Sequence, residues 1–327
     1  MNAVTWLNKG GNNRMKLWDK TKDILVVMGG PSTEAEVSRR TGAAIAQALV
    51  EGGYKVTTLE FNPRTFLNDI QKVQPQVVFN ALHGKYGEDG AIQNVLEMLG
   101  IPYTGSGPLA SALTMDKVIS KRLFVQSDLP TAPFSIYRQE EEMEMIVADI
   151  LERFTLPVVI KAANQGSTIG VSVIHEASEV ARAVQDAFKY DPWIVVEEYL
   201  FGDEFTASVL NGESLPVIQI VPHSGVYDYA SKYTAGATDY LVPAPIDNSL
   251  QVQLQELAQQ TYRLMNCEGV ARVDFMTDEK GNPFILEVNT VPGMTVTSLV
   301  PKAANAVGMD FLTLCEAILS TAGCQKL

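Results

Sequence analysis

The chain has 327 residues, of which 46% are hydrophobic and 19% charged, and it carries a formal net charge of -13 at pH 7. That composition gives a folded globular chain with enough apolar material for a sizeable core, and the length suggests two to three compact units. The acidity excludes non-specific adhesion to nucleic acid or to an anionic membrane, and no apolar run approaches the roughly 18 residues of a membrane span. Three cysteines, Cys267, Cys315 and Cys324, are odd in number and lack metal-ligand spacing, which points to a reducing, cytoplasmic compartment.

Residues 1–22 are polar, lack the apolar core of a signal peptide, and are expected to form a flexible extension, with Met15 as a second candidate start. "DILVVM" (23–28) predicts a buried strand. "GGPSTEAEVS" then opens a helix, where Thr33 and Glu36 have capping-box spacing. Val37, Thr41, Ala44, Ile45, Ala48 and Leu49 recur at helical spacing behind it. "YKVTTLEF", "QVVFNAL" and "IPYTG" read as further strands, with a helix from about Asp89 to Leu99. Strands alternating with helices predict a parallel α/β domain over 23–116.

The pattern then changes. A helix over Asp116–Ser127 precedes the strands "PFSIY", "PVVIK", "VSVIH" and "WIVVEEYL", interrupted by a helix over 177–189. This predicts a second, α+β unit over 117–201. A third α+β unit, 202–327, opens with "EFTASVL" and "SLPVIQIVP". It continues through a polar loop, "HSGVYDYASKYTAGATDY" (223–240), of the length and composition of a lid. Two helices close the chain.

The most informative stretch is "GVARVDFMTDEKGNPFILEVN", two strands about a turn. A register symmetric about Lys280–Gly281 sets Asp274 opposite Glu287 and Arg272 opposite Asn289. One face is then Val273, Phe275, Phe284, Leu286 and Val288, and the other is polar. Opposed carboxylates repel; a solvated face would tolerate that, and so would a divalent cation. Asp274, Glu287 and Asn289 offer the hard oxygen donors that Mg²⁺ takes, and Arg272 has the fork to clamp a carboxylate or phosphate. In "KAANQGSTIG", Lys161 precedes a loop whose glycines and hydroxyls suit phosphate oxygens, or simply make a mobile hairpin. Glu197 and Glu198 end a strand, a place for nucleoside contacts or for plain solvation. Glu34 sits in the first helical turn, where it complements the dipole or anchors an ammonium. His83 stands where a parallel strand reaches its carboxyl end, the side on which such sheets bind ligands. The glycines here lack the G-x-G-x-x-G fingerprint, which argues against a nicotinamide-dependent dehydrogenase.

Taken in order, "GGPSTEAEVS", "HGKYGEDG", "MDK", "GSTIGVSV", "GDEFT", the "KY" of the long loop, "RVDF" and "LEVNTVPGMT" resemble the D-alanine–D-alanine ligases of the ATP-grasp superfamily. The resemblance runs from about Asp23 to the final helices. It implies a three-domain ATP-grasp architecture, an N-terminal α/β domain followed by two α+β domains that sandwich ATP. It implies ligation of two D-alanines through a D-alanyl phosphate for peptidoglycan precursor synthesis. Two Mg²⁺ (or Mn²⁺) ions would lie on Asp274, Glu287 and Asn289. Lys117, Lys161 and Lys232 match phosphate-binding lysines, and Glu197, Glu198, Leu200 and Glu204 match the nucleoside site. Glu34 matches the anchor of the first D-alanine's ammonium, in a trio with Ser167 and Tyr233. His83 falls among the substrate-binding positions. Arg272 and the Gly293 amide match the oxyanion contacts, and Ser298 with Leu299 the second substrate's carboxylate site. The family implies a homodimer with small-molecule partners only, D-alanine and ATP, and no nucleic acid or membrane.

Ala162 replaces a common proline and Val291 a frequent serine, neither at an assigned side chain. Tyr233 disfavours D-lactate as second substrate, whereas D-serine stays open. A non-catalytic nucleotide-binding scaffold would not need the intact Arg272, Asp274, Glu287 and Asn289.

Overall fold

The computed structural model describes residues 17–166, 169–224, 234 and 236–326. Strand β1 (Asp23–Met28) lies between β2 (Lys55–Glu60) and β3 (Val77–Asn80), all parallel. Parallel neighbours need crossovers, supplied by α1 (Ala35–Glu51) and α2 (Phe66–Val73). Helix α1 buries Thr41, Ile45, Ala48 and Leu49, the stripe that its spacing predicts. The capping box does not form. Helix α1 starts later, at Ala35, with Glu34 as its N-cap residue and no side-chain cap. Ser32 Oγ instead accepts the Glu34 amide at 3.1 Å, and Glu36 turns outward to Arg39 and Arg40.

Helix α3 (Ala91–Leu99) follows. "IPYTG" is not a strand: Tyr103 alone bridges Val78 on one side and Gly323 on the other. A helix that the sequence reading lacks, α4 (Pro108–Met115), runs into α5 (Lys117–Gln126). Asp116 separates the two, its Oδ1 accepting the amides of Val118 and Ile119 at 2.9 and 3.0 Å. That N-cap places Lys117 at the first helical position.

A four-stranded antiparallel sheet comes next, in the order β4 (Phe134–Arg138), β7 (Trp193–Glu198), β5 (Val158–Ala162), β6 (Val171–Ile174). Helices α6 (Met143–Arg153), also absent from the sequence reading, and α7 (Val180–Ala187) cover one face. Val158 and Ile160 point into that core, leaving Val159 and Lys161 on the open face.

The last sheet runs β11 (Thr238–Leu241), β10 (Ile218–Pro222), β8 (Glu204–Leu210), β12 (Val270–Thr277), β13 (Pro283–Asn289), with the short β9 (Glu213–Ser214) on β8. Helix α8 (Asn248–Leu264) packs on one face through Leu254, Leu257, Ala258 and Tyr262. Phe124 of α5 joins this core, so that helix spans both antiparallel sheets. The closing helices α9 (Leu299–Ala306) and α10 (Phe311–Leu319) pack in one core with β1, β3 and α1. The third unit is thereby fastened to the first. Residues 17–22 are held rather than loose: Trp18 packs on this core, and Lys20 Nζ donates to the Gly52 carbonyl at 2.6 Å.

The β12–β13 pair has the predicted register at its site end, with Arg272 opposite Asn289 and Asp274 opposite Glu287. Beyond Asp274 the register slips, and Phe275 faces Ile285. The slip is a β-bulge, in which two residues oppose one and the alternation is broken. Ile285 therefore enters the core at 0% exposure, while Leu286 and Phe284, expected inside, are only half-buried.

Candidate active site

Two cavities meet inside this frame. The larger, of about 350 Å³, lies between the open faces of the two antiparallel sheets. Val159, Val171 and Val173 line it from one sheet, and Ile220, Met276 and Leu286 from the other. Its floor carries Lys161, Glu197, Asp274 and Glu287, and Glu198, Leu200 and Glu204 lie along its wall. The smaller, of about 230 Å³, lies at the carboxyl end of β3 and is lined by Glu34, His83, Arg272, Asn289, Gly293, Ser298 and Leu299, among others. Lys117, Gln165 and Glu287 line both.

The lysines are held by carboxylates. Lys117 Nζ donates to the Gln165 carbonyl at 2.7 Å and lies 3.2 Å from Glu287 Oε2. Lys161 Nζ lies 2.8 Å from Glu197 Oε2. Lys121, one turn beyond Lys117 and 1% exposed, reaches Glu197 Oε1 at 3.4 Å and donates to Thr131 Oγ1 at 2.5 Å. Burial brings the Lys121 amine down to about 8, although Glu197 opposes that shift. Burial pushes the Glu197 carboxyl up, but Lys121 and Lys161 more than offset it, and its pKa stays below the ordinary value. Glu197 is thus less a bare strand-end acid than the centre of a Lys–Glu–Lys group at the cleft floor.

On the hairpin, Arg272 clamps Asp274 with Nε at 2.8 Å from Oδ1 and Nη2 at 2.7 Å from Oδ2. Thr206 Oγ1 donates to the same Oδ1 at 2.6 Å. Asn289 Oδ1 accepts the Val291 amide at 2.9 Å. Among the described residues no group of three His, Cys, Asp or Glu could hold a metal ion; the donors gathered here are two carboxylates and an amide. They fit a hard divalent cation chemically, since all three offer oxygen and Glu287 and Asp274 are register partners.

The small cavity is built from close backbone approaches. Gly84 has φ +69°, and a Cβ there would lie 2.5 Å from Ser32 Oγ and 3.0 Å from Glu34 Oε2. A Cβ at Gly166 would also lie 3.0 Å from Glu34 Oε2. Glu34 therefore stands between the first unit and the glycine loop of the second. His83, 4% exposed, meets Thr41 Oγ1 at 3.0 Å. Ser298 Oγ accepts the Thr295 amide at 3.0 Å. Ser167, Lys232 and Tyr233 lie outside the described residues.

Every other residue singled out from the sequence lines one cavity or both. Sequence reasoning missed Lys121, hidden in "KVISK" as an ordinary helical lysine, and the apolar walls Val159, Val173, Met276 and Leu286. For Val159 and Val173 the signal was available, because alternation along β5 and β6 leaves them on the face that the helices do not cover. For Leu286 it was not, because the bulge reverses its side.

A cleft closed from both sides by antiparallel sheets, with buried lysines at its floor, is the architecture of an ATP-grasp enzyme. The family model described as D-ala D-ala ligase C-terminus matches residues 123–320, and that described as D-ala D-ala ligase N-terminus matches 62–106. The D-alanine–D-alanine ligase of Syntrophotalea carbinolica is 47% identical over 305 residues, covering 93% of this chain and 97% of its own. That of Moorella thermoacetica is 47% identical over 305 residues, covering 91% and 98%. The crystal structure of the Bacillus anthracis D-alanine–D-alanine ligase complexed with ATP superposes with a TM-score of 0.81 at 33% identity, covering 92% of this chain and 97% of that one. The chain belongs to the D-alanine–D-alanine ligase family.

Proposed function

We propose that the larger cavity takes ATP, the smaller takes two D-alanines, and the chemistry occurs where Lys117, Gln165 and Glu287 line both. The chain catalyses the ATP-dependent ligation of two D-alanines for peptidoglycan synthesis. The shared wall carries this assignment of cavities, since a phosphoryl group can pass between two ligands only where their sites are continuous.

A carboxylate is a poor electrophile. The first D-alanine, its ammonium held by Glu34, attacks the γ-phosphorus through a carboxylate oxygen; the bond to ADP breaks and a D-alanyl phosphate forms. Lys117 and Lys161 bear on the phosphate charge, and Glu197 with Lys121 keeps Lys161 in place. Asp274, Glu287 and Asn289 would hold Mg²⁺ or Mn²⁺, which supplies further neutralisation of the phosphates when bound. The amine of the second D-alanine, its carboxylate at Ser298 and Leu299, then attacks the carbonyl carbon, and phosphate leaves. Arg272 and the Gly293 amide stabilise the tetrahedral oxyanion. Val159, Val173, Met276 and Leu286 enclose the adenine, with Glu198, Leu200 and Glu204 along the nucleoside. By sequence resemblance Lys232 is assigned to the phosphates and Ser167 and Tyr233 to the trio with Glu34, and the acyl phosphate has to be kept from water.

In this reading the functional units are 23–116, 117–201 and 202–327, working as a cytoplasmic homodimer on D-alanine and ATP, without nucleic-acid or membrane partners. Among the described residues no helix is long and apolar enough to cross a membrane. The test is phosphate release from ATP and Mg²⁺ with a panel of amino acids, with mass spectrometry of the product. D-alanine should give D-alanyl-D-alanine and L-alanine should not. Equal rates with both would overturn the assignment, and a mixed D-alanyl-D-serine product would move the second subsite to D-serine.

A further inference from the structure

Thr41 is a side chain that the proposed chemistry does not use. It sits in α1, 1% exposed, and lines a small gap with Ile45, Phe79 and Met294 as well as Asn80, Thr104 and Thr290. A valine would pack there with nearly the same shape, so the hydroxyl calls for an explanation. It has two partners, from segments 42 and 253 residues away in the chain. The Met294 amide donates to Thr41 Oγ1 at 3.3 Å, and the same oxygen lies 3.0 Å from His83 Nε2.

With the Met294 N–H donating to it, the hydroxyl can still give its own proton or take a second one. His83 Nε2, 3.0 Å away, suits either role, so the surroundings of Nδ1 decide the direction. A ring proton on Nδ1 would face Glu88 Oε1 at 3.9 Å. That carboxylate oxygen is buried without a hydrogen-bond partner, while Oε2 accepts the Gly84 amide at 2.7 Å. An N–H directed at Oε1 meets an acceptor that otherwise has none. The buried, unpartnered Oε1 therefore points to one orientation of the chain, Met294 N–H to Thr41 to His83 to Glu88.

We propose that Thr41 is a positioning residue. It ties the loop that carries Gly293 to the His83 loop of the first unit, and it holds His83 as its Nδ1–H tautomer. The peptide that Thr41 grips is the one following Gly293, whose own amide faces the reacting carbonyl in the function proposed above, and the inference rests on that reading. Thr41 touches no substrate; it acts through the aim of a backbone amide and an imidazole.

The chain has three histidines, His83, His175 and His223, so ¹⁵N-histidine NMR of the full-length protein resolves them, with H83N identifying the signal. Wild-type protein should show His83 with a proton on Nδ1 and an accepting Nε2. In T41V the dipeptide kcat should fall about 10- to 100-fold, with the KM for ATP within about twofold of wild type. Phosphate released per dipeptide should rise above one, because phosphoryl transfer continues while aminolysis slows. T41S should restore rate and stoichiometry to within about threefold, which a loss of packing alone would not predict. A proton on Nε2 in the wild type overturns the proposal, as does T41V with a near-normal rate and tight coupling. If T41V does not fold, the T41S kinetics and the wild-type spectrum still decide it. If wild-type protein makes no dipeptide, the substrate reading fails, and the histidine spectrum still reports on the network.

Discussion

The two cavities are built on opposite plans. The larger is a gap between two sheet faces, walled by Val159, Val173, Met276 and Leu286, with Lys161, Glu197, Asp274 and Glu287 at its floor and Glu198 and Glu204 along one wall. The smaller mixes its sources: Val37, Lys117, Arg272 and Asn289 come from helices and strands, while Glu34, His83, Gly293 and Ser298 come from before α1, after β3 and after β13, drawn together by glycines and by the core that joins α1 with α9 and α10. A flat, largely apolar slot suits an aromatic base whose chemistry is elsewhere, and its wall residues are exchangeable at modest cost. A crowded polar pocket suits a small zwitterion, where each group has its own direction and a misaimed amide is costly. Substitutions should therefore fall hardest on the shared wall, then on the small cavity, then on the slot.

That ordering gives the first expectation. Glu287→Gln removes a charge that faces both cavities and should lower turnover about a thousandfold, with the melting temperature nearly unchanged. A variant that retains turnover would take Glu287 out of the site. Arg272→Lys keeps the charge but loses the two-pronged contact with Asp274. Steady-state assays should show kcat down about a hundredfold and circular dichroism as in wild type. Leu286→Ala sharpens the contrast from the other side. The KM for ATP should rise about tenfold, while the KM for D-alanine stays put; if D-alanine binding moves more, the slot has been assigned to the wrong ligand.

A separate expectation, on stability and not on turnover, concerns the cleft floor. Burial brings the Lys121 amine from an ordinary 10.5 to about 8 in the folded chain. Between those values the unfolded chain holds a proton that the folded chain has released, so this group makes stability rise with pH. Below about pH 8 both states are protonated and the burial cost is borne in full. Wild-type protein should therefore gain on K121M by ~3 kcal/mol between pH 7 and pH 10.5, measured by urea denaturation at each pH. A pH-independent gap between the two would mean that Lys121 keeps its proton throughout.

Much of this was legible in the sequence, for reasons that particular residues make plain. Asp274 and Glu287 pair as a turn at Lys280–Gly281 and strict alternation predict, but next to the turn the strands are one residue off that register, and the bulge at Leu286 restores it at the open end. His83 and Glu34 could be placed because strand-end loops and helix starts have sequence marks. The bulge at Leu286 had none, since it depends on how β13 is pulled against β12 and not on the residue itself. Lys121 was invisible because a buried lysine has the same letter as a solvated one, and only packing by α5 puts it beneath Glu197. The capping box failed because the helix starts at Ala35 with Glu34, not Thr33, at the N-cap, and Glu36 pairs with Arg39 and Arg40. Helices α4 and α6 do carry end marks that the sequence reading passed over: Pro108 opens α4, and α6 has Glu144 in its first turn and Arg153 in its last.

The central claim is that the carboxylate of one D-alanine is phosphorylated where the two cavities join. D-alanine labelled with ¹⁸O in both carboxylate oxygens, turned over with ATP and Mg²⁺, tests it directly. The released phosphate should carry one ¹⁸O atom, passed from the carboxylate when the acyl phosphate collapses. Dipeptide formed alongside phosphate free of ¹⁸O would contradict the account, since the phosphoryl group would then never have been bonded to the amino acid.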